Sequence, residues 1–341
     1  MLSKKQFDIL DVLIDSKEKV SQRELSELTG MSLGSVNKVL KELIELNYVN
    51  DHCITSKGVE VMQGYRVKRA VVIAAGFGSR MVPITLNTPK PLVRVKGNRI
   101  IDSCLDAIKE AEIEEIYIVR GYLAEQFDQL LYRYPNIKFI ENPMYNEANN
   151  LSSIVCAGDL LQNAYVVEAD LLLSNKKLIR KYQYSSNYLG IPVERTDDWC
   201  VKLTDGYISK MAIGGENCYQ MVGISYWTAE DGKKLYRDSR EVFNAPGGRE
   251  RYWDQVPLEY CIKNYKVSVR ECSFEDIVEI DTYNELKQID EAYRWFHLSD
   301  AEKKKTKSKV LMAFCFSILI NIIKNITEML PSQAEEKKYG N

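Results

Sequence analysis

The chain has 341 residues, 45% apolar and 28% charged, with a formal net charge of −2. That balance suits a soluble protein of two or three domains and excludes a global electrostatic pull toward nucleic acid. Eight cysteines without a C-x-x-C pair, beside only two histidines, argue against a Cys/His zinc site. The opening MLSKKQFDILDVL is interrupted by Asp8 and Asp11 and lacks a secretory core, so the cysteines read as free thiols in a reducing cytoplasm.

Residues 1–66 read as a small helical domain. Phe7, Ile9, Leu10, Leu13 and Ile14 share one helical face. Ser21 with Glu24 forms a capping-box pattern before a helix that stops at Gly30. Ser32 opens a third helix with a stripe of Val36, Val39, Leu40, Leu43 and Leu46, and NYVNDHCITSKGVEVM (47–62) reads as a two-stranded wing. The order resembles the winged-helix domains of bacterial transcription regulators. Over residues 1–65, eight Lys and Arg face ten Asp and Glu. Without a basic face, a protein-contact or dimerisation role is favoured over DNA binding.

Residues 67–297 alternate strand and helix. Strands are expected at 68–75, 115–120, 137–141 and 164–170, and helices at 100–111, 124–134 and 150–161. This is the pattern of a doubly wound, mostly parallel α/β sheet, whose ligand sits beyond the carboxyl ends of the strands. The loop after the first strand, AAGFGSRMVPITLNTPKPL (74–92), fits neither common phosphate loop. No G-x-x-x-x-G-K-[ST] string follows Gly76, and Met81 stands where a dinucleotide fingerprint needs glycine. Gly76 and Gly78 let backbone N–H groups approach phosphates, while Arg80 and Lys90 add two cations to the same connection.

A-A-G-x-G-[ST]-R followed by T-P-K-P-L resembles the nucleotidyltransferases that make nucleotide-sugars and related activated alcohols. ENPMYNEANNLSSI, VVEAD, DDWCVKL, YQMVGISYW, RERYWDQ and VEIDTYNEL continue the resemblance, in order, toward the LicC-like CTP:phosphocholine cytidylyltransferases. The resemblance implies a nucleotide-diphospho-sugar transferase type of fold and attack by a phosphomonoester on the α-phosphorus of CTP. CDP-choline for phosphocholine decoration of surface polymers would be the product. Such a nucleophile is already ionised, so the step demands positioning and charge neutralisation rather than a general base.

The residues expected to carry it follow from the match. Lys90 and Arg80 hold the reacting phosphates; Ala74, Ala75, Gly76, Gly78, Asn149 and Asn150 border the nucleotide; Asp170 and Asp281 hold Mg²⁺. Trp199, Tyr226, Trp227, Tyr252 and Trp253, with Asp254 or Glu279 as counter-charge, are expected around the choline. Two alternatives stay open: a transferase for a sugar-1-phosphate or an aminoethyl phosphate or phosphonate, and a nucleotide-sensing transcription regulator.

Residues 298–341 read as a basic linker and an apolar helix. The uncharged run 310–323 is short for a membrane span. It either docks in a homo-oligomer interface or against the winged helix, or lies peripherally on the anionic inner face of the membrane.

Overall fold

In the computed structural model, which describes residues 1–16 and 18–295, three capped helices open the chain. Helix α1 (Lys4–Asp15) starts at a Ser3/Gln6 capping box and buries Phe7, Ile9, Leu10 and Leu13. Helix α2 (Gln22–Thr29) has the expected Ser21/Glu24 box and ends at Gly30, whose φ of 67° suits a residue without Cβ. Helix α3 (Leu33–Glu45) is capped by Ser32 and buries Val36, Val39, Leu40 and Leu43.

The wing is shorter than expected. Only Val49–Asn50 and Cys53–Ile54 pair, and the chain then turns into helix α4 (Ser56–Met62). Thr55 decides this by accepting a hydrogen bond from Gly58 N, an N-cap within the stretch read as strand.

The α/β part begins with β1 (Arg69–Ala74), buried from Ala70 onward on both faces, as a central parallel strand requires. It continues through α5 (Ile100–Glu110), β2 (Glu115–Arg120), β3 (Ile137–Glu141), α6 (Leu151–Ala157) and β4 (Ala164–Glu168). Residues expected as a helix from 124 form a 3₁₀ segment, Ala124–Tyr132, and Gly158 at φ 59° divides the next expected helix into α6 and a 3₁₀ turn. A long hairpin of β5 (Asn187–Thr204) and β6 (Tyr207–Trp227), helix α7 (Ala229–Asn244) and β7 (Ser268–Glu271) complete the sheet.

The seven strands lie in the order β7-β5-β6-β4-β1-β2-β3. Pairs β1–β2, β2–β3, β1–β4 and β5–β7 are parallel; β4–β6 and β5–β6 are antiparallel. The chain winds outward from β1 to β3 and then returns to β4 on the other side of β1. Beyond the carboxyl ends of β1 and β4 this reversal opens a crevice.

The winged helix is joined at the amino end of β1. Tyr182 is 3% exposed and belongs to the winged-helix core. Tyr65 stacks on Tyr184 at 5.8 Å, Tyr184 Oη donates to Leu2 O, and Val67 N donates to Lys181 O. The seven cysteines among the described residues are free thiols. The tail from residue 298, with its docking and membrane readings, lies outside the described residues; among those described no helix is long and apolar enough to cross a membrane.

Candidate active site

A cleft of about 480 Å³ opens at the crevice, bordered by Ala74, Ala75, Gly76 and Gly78 from the loop after β1. Gly78 has φ 67°, and a Cβ there would lie 2.9 Å from Lys90 Cβ and 3.2 Å from Thr85 Cγ2. Thr85, fully buried, donates to Gly78 O at 2.9 Å. The glycine thus lets the loop fold onto the lysine stem, and the threonine pins it there.

Lys90 is 7% exposed, and its Nζ lies 2.7 Å from Asp170 Oδ2 and 2.8 Å from Asp281 Oδ1. Burial alone would lower its pKa, but the charges of Asp170 and Asp281 outweigh that and raise it. Arg80 is mostly exposed and donates to Asp281 Oδ1 at 2.8 Å. One cation sits in the cleft floor and the other stands at its mouth.

A two-stranded ribbon, Leu171–Leu173 with Ile277–Glu279, brings the second acidic segment to the end of β4, where Ile280 N donates to Asp170 O. The carboxylates then divide differently from expectation. Glu168, Asp170 and Glu279 present ligand oxygens within 4.8 Å of one another, while Asp170 and Asp281 both pair with Lys90 and Asp281 also with Arg80. Glu279, expected beside the substrate ammonium, is also part of the acidic group.

Burial, then the charge of Asp170, pushes Glu168 up to about 8 and Glu279 up to about 10. Burial would raise Asp281 as well, but the charge and hydrogen bond of Lys90, with Arg80, bring it below the usual carboxylate range. Asp170 Oδ1 is buried without a hydrogen-bond partner. Three crowded carboxylates and an unpaired oxygen fit a hard divalent cation such as Mg²⁺, which takes oxygen ligands.

The opposite wall carries Trp199 and Tyr252, whose rings meet edge to face at 5.8 Å. Trp199 reaches it because the β5–β6 register shifts between Thr196 and Trp199, leaving a bulge at Asp197 and Asp198. Asp254 lies at the back of this wall. Its Oδ1 is buried without a hydrogen-bond partner. Burial pushes Asp254 up to about 6.

Three expected wall residues stand elsewhere, and of these Trp227 is fully buried and pairs with Ala164 at the amino end of β4. Tyr226 pairs with Tyr165 at the amino end of β4, far from Glu168, and its hydroxyl donates to Asn163 Oδ1. Trp253 is fully buried behind the wall, against Tyr188 and Trp227, with Nε1 donating to Glu168 Oε1 at 3.2 Å. Asn149 and Asn150 border the cleft.

Glu168, Tyr188 and Gly223 line the cleft without having been expected there, and Thr85 supports its loop from beneath. Gly223 has φ 65°, and a Cβ there would lie 2.9 Å from Glu168 Oε2, so only glycine lets β6 pass this carboxylate. Glu168 had a signal, since alternation in VVEAD aims it the same way as Asp170. Tyr188 had none.

Residues 70–188 match the family described as MobA-like NTP transferase domain, and residues 2–50 match the winged helix-turn-helix DNA-binding family. The 2-aminoethylphosphonate cytidylyltransferase of Lancefieldella rimae is 37% identical over 228 residues, spanning 66% of this chain and 92% of that protein. The choline-phosphate cytidylyltransferase of Haemophilus influenzae is 31% identical over 227 residues, 64% of this chain and 95% of that one. A solved structure of the CTP:phosphocholine cytidylyltransferase from Streptococcus pneumoniae superposes with a TM-score of 0.61 at 30% identity, covering 67% of this chain and 99% of that one.

Proposed function

Because the chain belongs to the cytidylyltransferases of the MobA-like NTP transferase family, we propose that it joins CTP to a small phosphonate or phosphate ending in a primary ammonium, with 2-aminoethylphosphonate as the favoured acceptor. An acceptor oxygen forms a bond to the α-phosphorus of CTP, the bond to the bridging oxygen breaks, and pyrophosphate leaves with the electron pair. Lys90 neutralises charge at the reacting phosphates from the cleft floor. Arg80 draws in the β- and γ-phosphates from its mouth, and the amides around Gly76 and Gly78 cradle the triphosphate. Glu168, Asp170 and Glu279 would hold a divalent ion, with Asp281 beside them. When bound, that ion supplies positive charge that orients the triphosphate.

The observation that carries the choice of acceptor is the unpaired Oδ1 of Asp254. A buried carboxylate oxygen calls for a donor, and a primary ammonium has three N–H groups to offer. A trimethylated ammonium has none. The second reading, phosphocholine, is supported by Trp199 and Tyr252, whose rings suit a methylated cation.

The test is pyrophosphate release from CTP with 2-aminoethylphosphonate, phosphoethanolamine or phosphocholine. A charged hydrogen bond is worth about 1.5–3 kcal/mol, so kcat/KM should favour the primary amines by roughly 10- to 100-fold. Equal rates, or a preference for phosphocholine, would sink this choice in favour of the second reading. Residues 1–66 are proposed as a separate winged-helix unit attached to a transferase of residues 67–297.

A further inference from the structure

Asn149 and Asn150 sit where a nucleotide contact is expected, yet their polar atoms are turned toward another part of the chain. Asn150 Oδ1 accepts from Trp253 N at 2.9 Å, and its Nδ2 donates to Glu168 Oε1 at 3.5 Å. Asn149 N donates to Arg249 O at 2.7 Å, its Nδ2 donates to Glu250 O at 3.2 Å, and its Oδ1 accepts from Asn150 N at 2.7 Å. The orientation of the Asn150 amide follows from chemistry, because the Trp253 amide only donates.

The pair therefore ties the start of α6 to the segment Arg249–Asp254. That segment has little regular structure to hold it, only a 3₁₀ turn over Gly248–Glu250. Trp253 lies between Tyr252 and Asp254. Its amide is anchored by Asn150, and its indole by Glu168 Oε1, the oxygen that Asn150 also reaches. Fixing Trp253 at both points fixes where its two neighbours face.

We infer that Asn150, assisted by Asn149, is a positioning residue for acceptor specificity: it sets the Arg249–Asp254 segment so that Tyr252 and Asp254 face the acceptor, and it does not serve as a nucleotide ligand. This rests on the reading that the Tyr252–Asp254 wall takes the cationic end of the acceptor. A slack segment would misplace the ammonium site and leave the triphosphate cradle of Gly76, Gly78, Arg80 and Lys90 unchanged.

The experiment is steady-state kinetics of Asn150→Ala and Asn149→Ala, with CTP binding measured by calorimetry without acceptor. Asn149→Ala leaves Glu168 untouched and so separates segment positioning from any effect on the carboxylates. The expected result is a KM for the acceptor raised about 10-fold or more in Asn150→Ala and by a smaller factor in Asn149→Ala. The CTP Kd should stay within about twofold of the parent value. A weakened CTP Kd with an unchanged acceptor KM, an equal loss for both substrates, or no change in either would overturn the inference. If Asn150→Ala fails to fold, Asn149→Ala decides by the same criteria. The assay runs equally with phosphocholine as acceptor, so a wrong choice of acceptor and a wrong role for Asn150 give different results.

Discussion

Lys90 Nζ lies 2.7 Å from Asp170 Oδ2, a contact that joins the loop after β1 to the end of β4 across 80 residues of chain. It closes the crevice at the point where the sheet order reverses. The ammonium is buried and held by carboxylates on two segments, so its position is set before any substrate arrives.

Replacing that lysine tests the preorganised charge. Lys90→Ala should lower kcat by about 10²- to 10³-fold, the scale on which a single fixed charge acts on a transition state. The KM for CTP should change only a few-fold, because Arg80 and the glycine loop remain. A pyrophosphate-release assay that found kcat within threefold of the parent would remove Lys90 from the reaction.

The acidic group ties stability to pH. Burial, with the charge of Asp170, pushes Glu168 up to about 8 and Glu279 up to about 10, above the ordinary glutamate value of 4.5. A carboxyl raised in the folded state contributes stability that is complete below pH 4.5 and is lost as pH rises through its folded pKa. In chelator, the Tm should therefore fall between about pH 5 and pH 9. A divalent ion should restore more of it at pH 8.5 than at pH 5.5. Glu168→Gln should flatten the profile. A metal-free Tm that rises across this range would contradict the assignment.

Asp254 separates the two acceptors. Asp254→Asn keeps the size but loses the charge, so the KM for 2-aminoethylphosphonate should rise by roughly 10- to 100-fold. Phosphocholine, which donates nothing to the carboxylate, should lose less. Equal losses for both would mean that Asp254 acts by general charge alone.

Tyr182 reports on the seam between the two parts. Its ring is buried in the winged-helix core, so Tyr182→Ala should cost about 3–5 kcal/mol at that seam. Thermal melts and limited proteolysis should locate the damage near residues 1–66. Turnover at 25 °C should stay near the parent rate, since the cleft lies at the other end of β1. A matching collapse of kcat would show that the two parts are coupled.

Local features were legible at most places where neighbours in sequence are neighbours in space. Ser21 and Glu24 cap α2 because an N-cap works over three residues, and Ala70–Ala75 reads as a buried strand from its own side chains. The same logic failed at Thr55, where a cap signal and a strand signal overlap and the cap prevails. Tyr226 was misplaced because it shares a strand with residues near the site. Pairing with Tyr165, which no local pattern reports, puts it at the far end.

The amino-acid sequence by itself determined the loop, its two cations, the acidic segments and the alternation that makes a doubly wound sheet. These are patterns over a few residues, and backbone periodicity expresses them directly. Only the tertiary structure decided which carboxylates gather, that Asp281 faces Lys90 and Arg80 while Glu168 joins Asp170 and Glu279, and that Trp253 stands behind the wall. Those outcomes depend on strand order, a bulge and a ribbon that bring together residues up to 201 positions apart. Contact over such separations is set by packing of the whole sheet, and no short stretch of chain encodes it.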